Sequence, residues 1–98
     1  MAKDITKLTE SDLQAFLRDH PAWRADDGSI VRTYEFQKFL DGVRFVDKVA
    51  EIADREDHHP DIDVRYRKVT LRLTSHDAGG LTPRDPKIAA LADQAYRA

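Results

Sequence analysis

Between Asp61 and Leu73 the chain alternates apolar and polar residues twice in close succession, and this narrows its possible folds more than any other feature. Ile62, Val64 and Tyr66 are interleaved with Asp61, Asp63, Arg65 and Arg67, and Val69, Leu71 and Leu73 repeat the rhythm. Period two is the mark of a half-buried strand. Two such runs with so few residues between them meet as an antiparallel hairpin. With Arg67-Lys68 as the turn, opposed residue numbers sum to 135, pairing Tyr66 with Val69, Val64 with Leu71 and Ile62 with Leu73. Every apolar pair then shares one face. The turn lacks Gly or Asn, so this register rests on the side-chain pattern alone.

Other segments supply elements to cover that face. Leu8-Thr9-Glu10-Ser11-Asp12-Leu13 reads as a helix start, with Thr9 as cap, acids in the first turn, Leu8 able to staple onto Leu13, and Phe16 and Leu17 continuing the buried side. Pro21 stops that helix. Asp27-Gly28, flanked by Trp23 and by Ile30 to Phe36, suits a turn between two short antiparallel strands. From Phe36 to Ala53 apolar residues recur at three- and four-residue steps and predict the strongest helix. A last helix follows Thr82-Pro83-Arg84-Asp85-Pro86, capped by either Thr82 or Asp85, with Ile88, Leu91, Ala92 and Ala95 as its apolar stripe. The expected architecture is α+β in two layers, a four-stranded antiparallel sheet with helices packed on one face, forming a single domain over residues 1–98.

Composition excludes several function classes. Sixteen basic and eighteen acidic residues leave a net charge of −2, with no field to gather nucleic acid or anionic membrane. No cysteine is present, which removes disulfides, thiolate metal sites and cysteine nucleophiles together. No secretory signal precedes Glu10, and no run approaches the roughly eighteen apolar residues of a membrane span. A soluble cytoplasmic protein with no nucleic-acid or membrane partner is the expectation.

Extending the 135 register outward opposes His59 to His76 and leaves His58 at the same end, so three of the four histidines converge. Directly opposed side chains start roughly 5 Å apart, close enough for one small ligand to touch all three rings. Asp57 and Asp77 each adjoin a histidine, and Asp54 precedes His58 by one helical turn if the helix persists that far. Carboxylates there can orient imidazoles. The bland alternative makes His58-His59-Pro60 a plain connector in which proline ends the helix. Zinc is a further alternative. However, adjacent histidines in extended chain point apart, and no His-x-x-x-His or His-x-His spacing is present. His20 lies far away in sequence and is left aside. Gly79-Gly80 without a following Lys-Ser/Thr reads as a turn. Among the arginines only Arg84, just after the histidine-bearing loop, is a candidate ligand contact.

Asp54, His58-His59-Pro60, Tyr66, His76 and Asp85, at these separations, resemble the signature of the pterin-4a-carbinolamine dehydratases. The resemblance runs through Thr74-Ser75-His76-Asp77 and Gly80-Leu81-Thr82 into the last helix and is weakest before Phe36. Asp54 departs from it, standing where the family commonly has the longer Glu, and Ile62 stands where animal members have an aromatic. The resemblance implies dehydration of 4a-hydroxytetrahydropterin to quinonoid dihydropterin in the recycling of tetrahydrobiopterin, with no metal and no organic cofactor. It implies His58 and His76 as the acid–base pair and His59 as a pterin-binding histidine. Asp57, Thr74, Ser75, Asp77 and Arg84 then line the pterin site, with Asp54, Pro60 and Asp85 in support. It also implies a homodimer or homotetramer, for which an exposed strand edge is the natural surface. The rival it leaves open is a binding role, since relatives act as transcription-factor dimerisation partners or assist carboxylase assembly.

Overall fold

The computed structural model describes residues 5–98. Its elements follow in the order α1 (Glu10–Asp19), β1 (Arg24–Asp26), β2 (Ser29–Glu35), α2 (Phe39–Glu56), β3 (Asp61–Arg65), β4 (Lys68–Leu73) and α3 (Arg84–Arg97), with a single 3-10 turn at His76–Ala78. The four strands form one antiparallel sheet in the order β1-β2-β4-β3. Thr9 and Asp12 form the reciprocal capping box of α1, each side chain accepting from the other's backbone N–H. Asp27 and Gly28 both take positive φ, the conformation that a two-residue hairpin turn demands.

Ile30, Arg32 and Tyr34 of β2 oppose Leu73, Leu71 and Val69 of β4, so all six point to one side of the sheet. That side carries the helices. Phe45, Val49 and Ile52 from α2 and Ile88, Ala89 and Ala92 from α3 join the sheet residues in one buried cluster, with Leu13, Phe16 and Leu17 of α1 partly buried against it. Gly42 sets how closely α2 approaches, since a Cβ there would stand 3.3 Å from both Val69 Cγ2 and a Phe36 ring carbon. On the helix side Asp93 of α3 is an acid in the core. It accepts from Tyr34 Oη at 2.6 Å, Arg32 NH1 at 2.8 Å and Trp23 Nε1 at 3.1 Å. Three donors from the sheet side thus satisfy a carboxylate whose burial alone would be prohibitive.

Three expectations need correction. The β3–β4 turn is Tyr66-Arg67, not Arg67-Lys68, and opposed numbers sum to 133: Val64 faces Val69 and Ile62 faces Leu71. Tyr66 takes φ 51, a left-handed conformation that costs an ordinary residue about 1 kcal/mol and that sequence alone does not announce. A shift of two keeps every side chain on its expected face. Second, β3 is not half-buried: all five residues are exposed, including Ile62 at 37% and Val64 at 41%. β3 is the sheet's edge, so it lacks a neighbour on one flank while α2 and α3 pack over the centre. Third, α2 starts at Phe39, because Phe36 still belongs to the sheet end and donates its N–H to Arg67 O at 3.0 Å.

Candidate active site

The histidines meet at the end of the sheet away from the Tyr66-Arg67 turn, by a different route from the one the register suggested. In the 133 register the ladder positions opposite β4 are used up by Asp61, which faces Arg72, so His59 has no strand partner. Instead α2 ends in a left-handed residue, Asp57 at φ 51, and His58 N–H bonds back to Ala53 O at 3.1 Å. This helix stop turns the chain sharply and fixes where His58 begins. Pro60 follows, just ahead of β3, and bars any return to helix. On the other side β4 ends at Leu73, and Ser75 and Gly80 exchange backbone bonds of 3.1 and 3.3 Å. They pinch off a tight loop that carries His76.

Between these two reversals lies an open cleft of about 340 Å³. His58, His59 and His76 all line it, as do Asp57, Thr74, Asp77 and Arg84. Of the residues expected at a pterin site only Ser75 is absent from the lining. It is buried, and its hydroxyl bonds Asp85 Oδ2 at 2.8 Å and Thr82 Oγ1 at 2.9 Å. A larger groove of about 630 Å³ lies at the opposite end, beside Tyr66 and Tyr96, but it contains no histidine. Histidine is the side chain suited to proton exchange near neutrality, so chemistry favours the smaller cleft.

The three histidines stand in unlike surroundings. His58 is buried, and its Nε2 lies 2.6 Å from Oδ1 of the fully buried Asp85. Oδ2 of Asp85 accepts from the Ser75 hydroxyl at 2.8 Å and from the Thr82 N–H at 3.0 Å. A carboxylate so placed is an acceptor on both oxygens, which makes Nε2 of His58 the donor and Nδ1 the ring nitrogen that Asp85 does not hold. His59 is exposed, with Nε2 2.9 Å from Asp54 Oδ1. The shorter acid at position 54 therefore reaches a histidine, His59 and not His58. His76 is exposed on its loop, and its ring has no protein partner among the described residues.

Arg84 completes the wall, with the buried Thr82 behind it. α3 starts at Arg84 with Pro83 in the cap position, so neither Thr82 nor Asp85 is the cap residue; Thr82 Oγ1 accepts from the Arg84 N–H at 3.3 Å just ahead of the helix. Asp85 is thereby released to hold His58. Arg84 is committed within the protein: Nε donates to Thr82 Oγ1 at 3.1 Å, and its terminal nitrogens donate to Asp77 at 2.7 and 3.3 Å. It is a rigid positive flank to the cleft, 17% exposed. Thr82 was missed in the sequence as a site residue. Its signal was available, since Thr-Pro-x-Asp at a helix start places hydroxyl and carboxylate on the same turn.

Residues 6–95 match the family model described as pterin 4 alpha carbinolamine dehydratase. The chain belongs to this family. A Picosynechococcus relative, provisionally named a pterin-4-alpha-carbinolamine dehydratase, is 46% identical over 91% of this chain and 97% of its own length. A Koribacter versatilis relative with the same provisional name is 49% identical over 84% and 87%. Among solved structures, a transcriptional coactivator/pterin dehydratase from Brucella melitensis superposes with a TM-score of 0.88 at 30% identity, covering 93% of this chain and 99% of that one. A pterin dehydratase-like protein identified as a RuBisCO assembly factor in the alpha-carboxysome gives a TM-score of 0.65 at 19% identity, covering 76% and 89%, and shares the fold. In this pterin carbinolamine dehydratase family member no helix of the described residues is long and apolar enough to cross a membrane.

Proposed function

We propose that the chain is a 4a-hydroxytetrahydropterin dehydratase working by histidine acid–base catalysis without metal or organic cofactor, in the cytoplasmic recycling of tetrahydrobiopterin. The observation that carries this reading is the His58–Asp85 pair at 2.6 Å on the wall of a cleft that His59 and His76 share. The reaction breaks the C4a–O bond, removes the N5 proton and forms the C4a=N5 double bond of the quinonoid product. Water leaves, and no electrons are transferred.

One group must take a proton as another gives one, and the two non-equivalent imidazoles suit these tasks. His58, held as its Nε2–H tautomer by Asp85, accepts the N5 proton at Nδ1. Asp85 then faces the imidazolium and stabilises it, the orienting role a buried carboxylate plays behind any histidine base. His76, exposed and able to exchange with solvent, delivers a proton to the departing hydroxyl. His59, steadied by Asp54, binds the pterin, and Asp57, Thr74 and Asp77 offer short polar groups to its edge. A homodimer or homotetramer is part of this reading, supported by the family resemblance.

The test is the rate at which chelator-treated protein dehydrates freshly generated 4a-hydroxytetrahydropterin, beside the uncatalysed reaction and the His76→Ala and His20→Ala variants. Acceleration that survives chelation, falls in His76→Ala and persists in His20→Ala is the expected result. A folded wild type that accelerates nothing transfers the reading to a binding or assembly role, of the kind that the names of the two solved neighbours describe for those proteins.

A further inference from the structure

Thr74 and His76 face two hollows. One is the histidine cleft; the other, of about 380 Å³, reaches the Asp27-Gly28 turn between β1 and β2. Thr74 Oγ1 donates to Gly28 O at 2.8 Å and holds that turn against the end of β4. Gly79 and Gly80 add backbone without side chains to the lining. The reaction's own atoms say what reaches across. The bond that breaks is at C4a and the proton that leaves is on N5, and N5 is bonded in turn to C6, the carbon that bears the pterin's side chain. A substituent on C6 therefore starts beside the histidines that serve C4a and N5. His58 is buried, whereas His76 is exposed on the wall common to both hollows, so the way out for the substituent passes His76. This placement rests on the dehydratase reading.

The second hollow also has a chemical preference. No Val, Leu, Ile or Phe lines it, so an alkyl chain buries no apolar surface there. Arg72 is held by Asp26, Nη2 to Oδ2 at 2.6 Å and Nη1 to the backbone O at 3.2 Å. The exposed carboxylate of Asp27 has no partner among the described residues. Apart from the proton that His76 carries and gives up, the lining thus holds one uncompensated charge, and it is negative. Such a charge repels an anionic tail and accepts hydrogen bonds from hydroxyls. We propose that this hollow is the subsite for the C6 substituent, and that Asp27 selects a neutral hydroxylated chain over an alkyl or an anionic one by accepting from a hydroxyl.

Initial rates of dehydration by the whole protein test it, on 4a-hydroxytetrahydropterins that differ only at C6: methyl, dihydroxypropyl and carboxyethyl. The dihydroxypropyl substrate should exceed the methyl one in kcat/KM by about fivefold or more, through a lower KM, and the carboxyethyl one should fall below both. Asp27→Asn keeps the turn, since Asn-Gly suits the same pair of positive-φ positions. It should shrink the diol preference to about twofold or less and lift the carboxyethyl substrate to the level of the methyl one. Circular dichroism verifies folding of the variant. Equal kcat/KM for methyl and dihydroxypropyl, a diol preference that Asp27→Asn keeps in full, or an equal loss on every substrate in that variant overturns the subsite while the dehydratase reading stands. No acceleration of any substrate overturns that reading and the subsite with it.

Discussion

Nε2 of His58 lies 2.6 Å from Oδ1 of Asp85, with the two side chains 8% and 0% exposed. Asp85→Asn keeps the shape but can present an amide N–H to the ring, which favours the opposite tautomer and blocks Nδ1 as an acceptor. Turnover is expected to fall by about 100-fold or more with little change in KM. The ring's 15N shifts report the tautomer independently: Nε2–H in the wild type, Nδ1–H in the variant.

His59 and Asp54 form the exposed counterpart, at 58% and 84% exposure. An exposed pair contributes little to stability, so Asp54→Ala should shift unfolding free energy by no more than about 0.5 kcal/mol. His59→Ala should raise KM for the pterin while leaving measurable turnover at saturation. Steady-state kinetics on the two variants separates binding from chemistry; a selective collapse of kcat in His59→Ala would move this histidine into the acid–base pair.

Asp93→Ala removes the common acceptor of Tyr34, Arg32 and Trp23. A cation and two neutral donors are left without it in the core, at an expected cost of about 3 kcal/mol or more. For a chain of this size that lowers Tm by about 12 °C or more in a thermal melt. Turnover of the folded protein at low temperature should change little, since no residue of this cluster lines the histidine cleft.

Burial, reinforced by the hydrogen bond to Asp93 and its charge, pushes the Tyr34 phenol well above its ordinary pKa of 10.0. Below pH 10 the phenol is protonated in folded and unfolded chains alike, and its contribution is fully present. Above it the unfolded chain ionises while the folded one holds its proton, so stability falls as pH rises. Denaturant titrations between about pH 9 and 11 should show this decline, and Tyr34→Phe should flatten it.

The sheet, the helix layer and the faces of the strands were legible because they depend on periodicity, which survives local errors. The hairpin register was misplaced by two because Tyr66 accepts a left-handed conformation that its residue type does not advertise. The gathering of His58, His59 and His76 was anticipated from a ladder, yet it arises from the left-handed stop at Asp57 and the pinched loop between Ser75 and Gly80. Ser75 looked like a site-lining hydroxyl. Only the fold reveals that α3 brings Asp85 and Thr82 across to claim it. Asp93 gave no signal at all, since its partners Trp23 and Tyr34 lie 70 and 59 residues away.

The same dispersal governs how the site comes into being. His58 follows α2, His76 follows β4, and Asp85 opens α3, so no single element carries the constellation. It exists only after helix and sheet have docked. Catalysis should therefore behave as an all-or-none reporter of cooperative assembly, vanishing in step with backbone structure rather than ahead of it, and two complementary fragments divided at the Tyr66-Arg67 turn, which parts His58 from His76 and Asp85, would regain it only on reassociating.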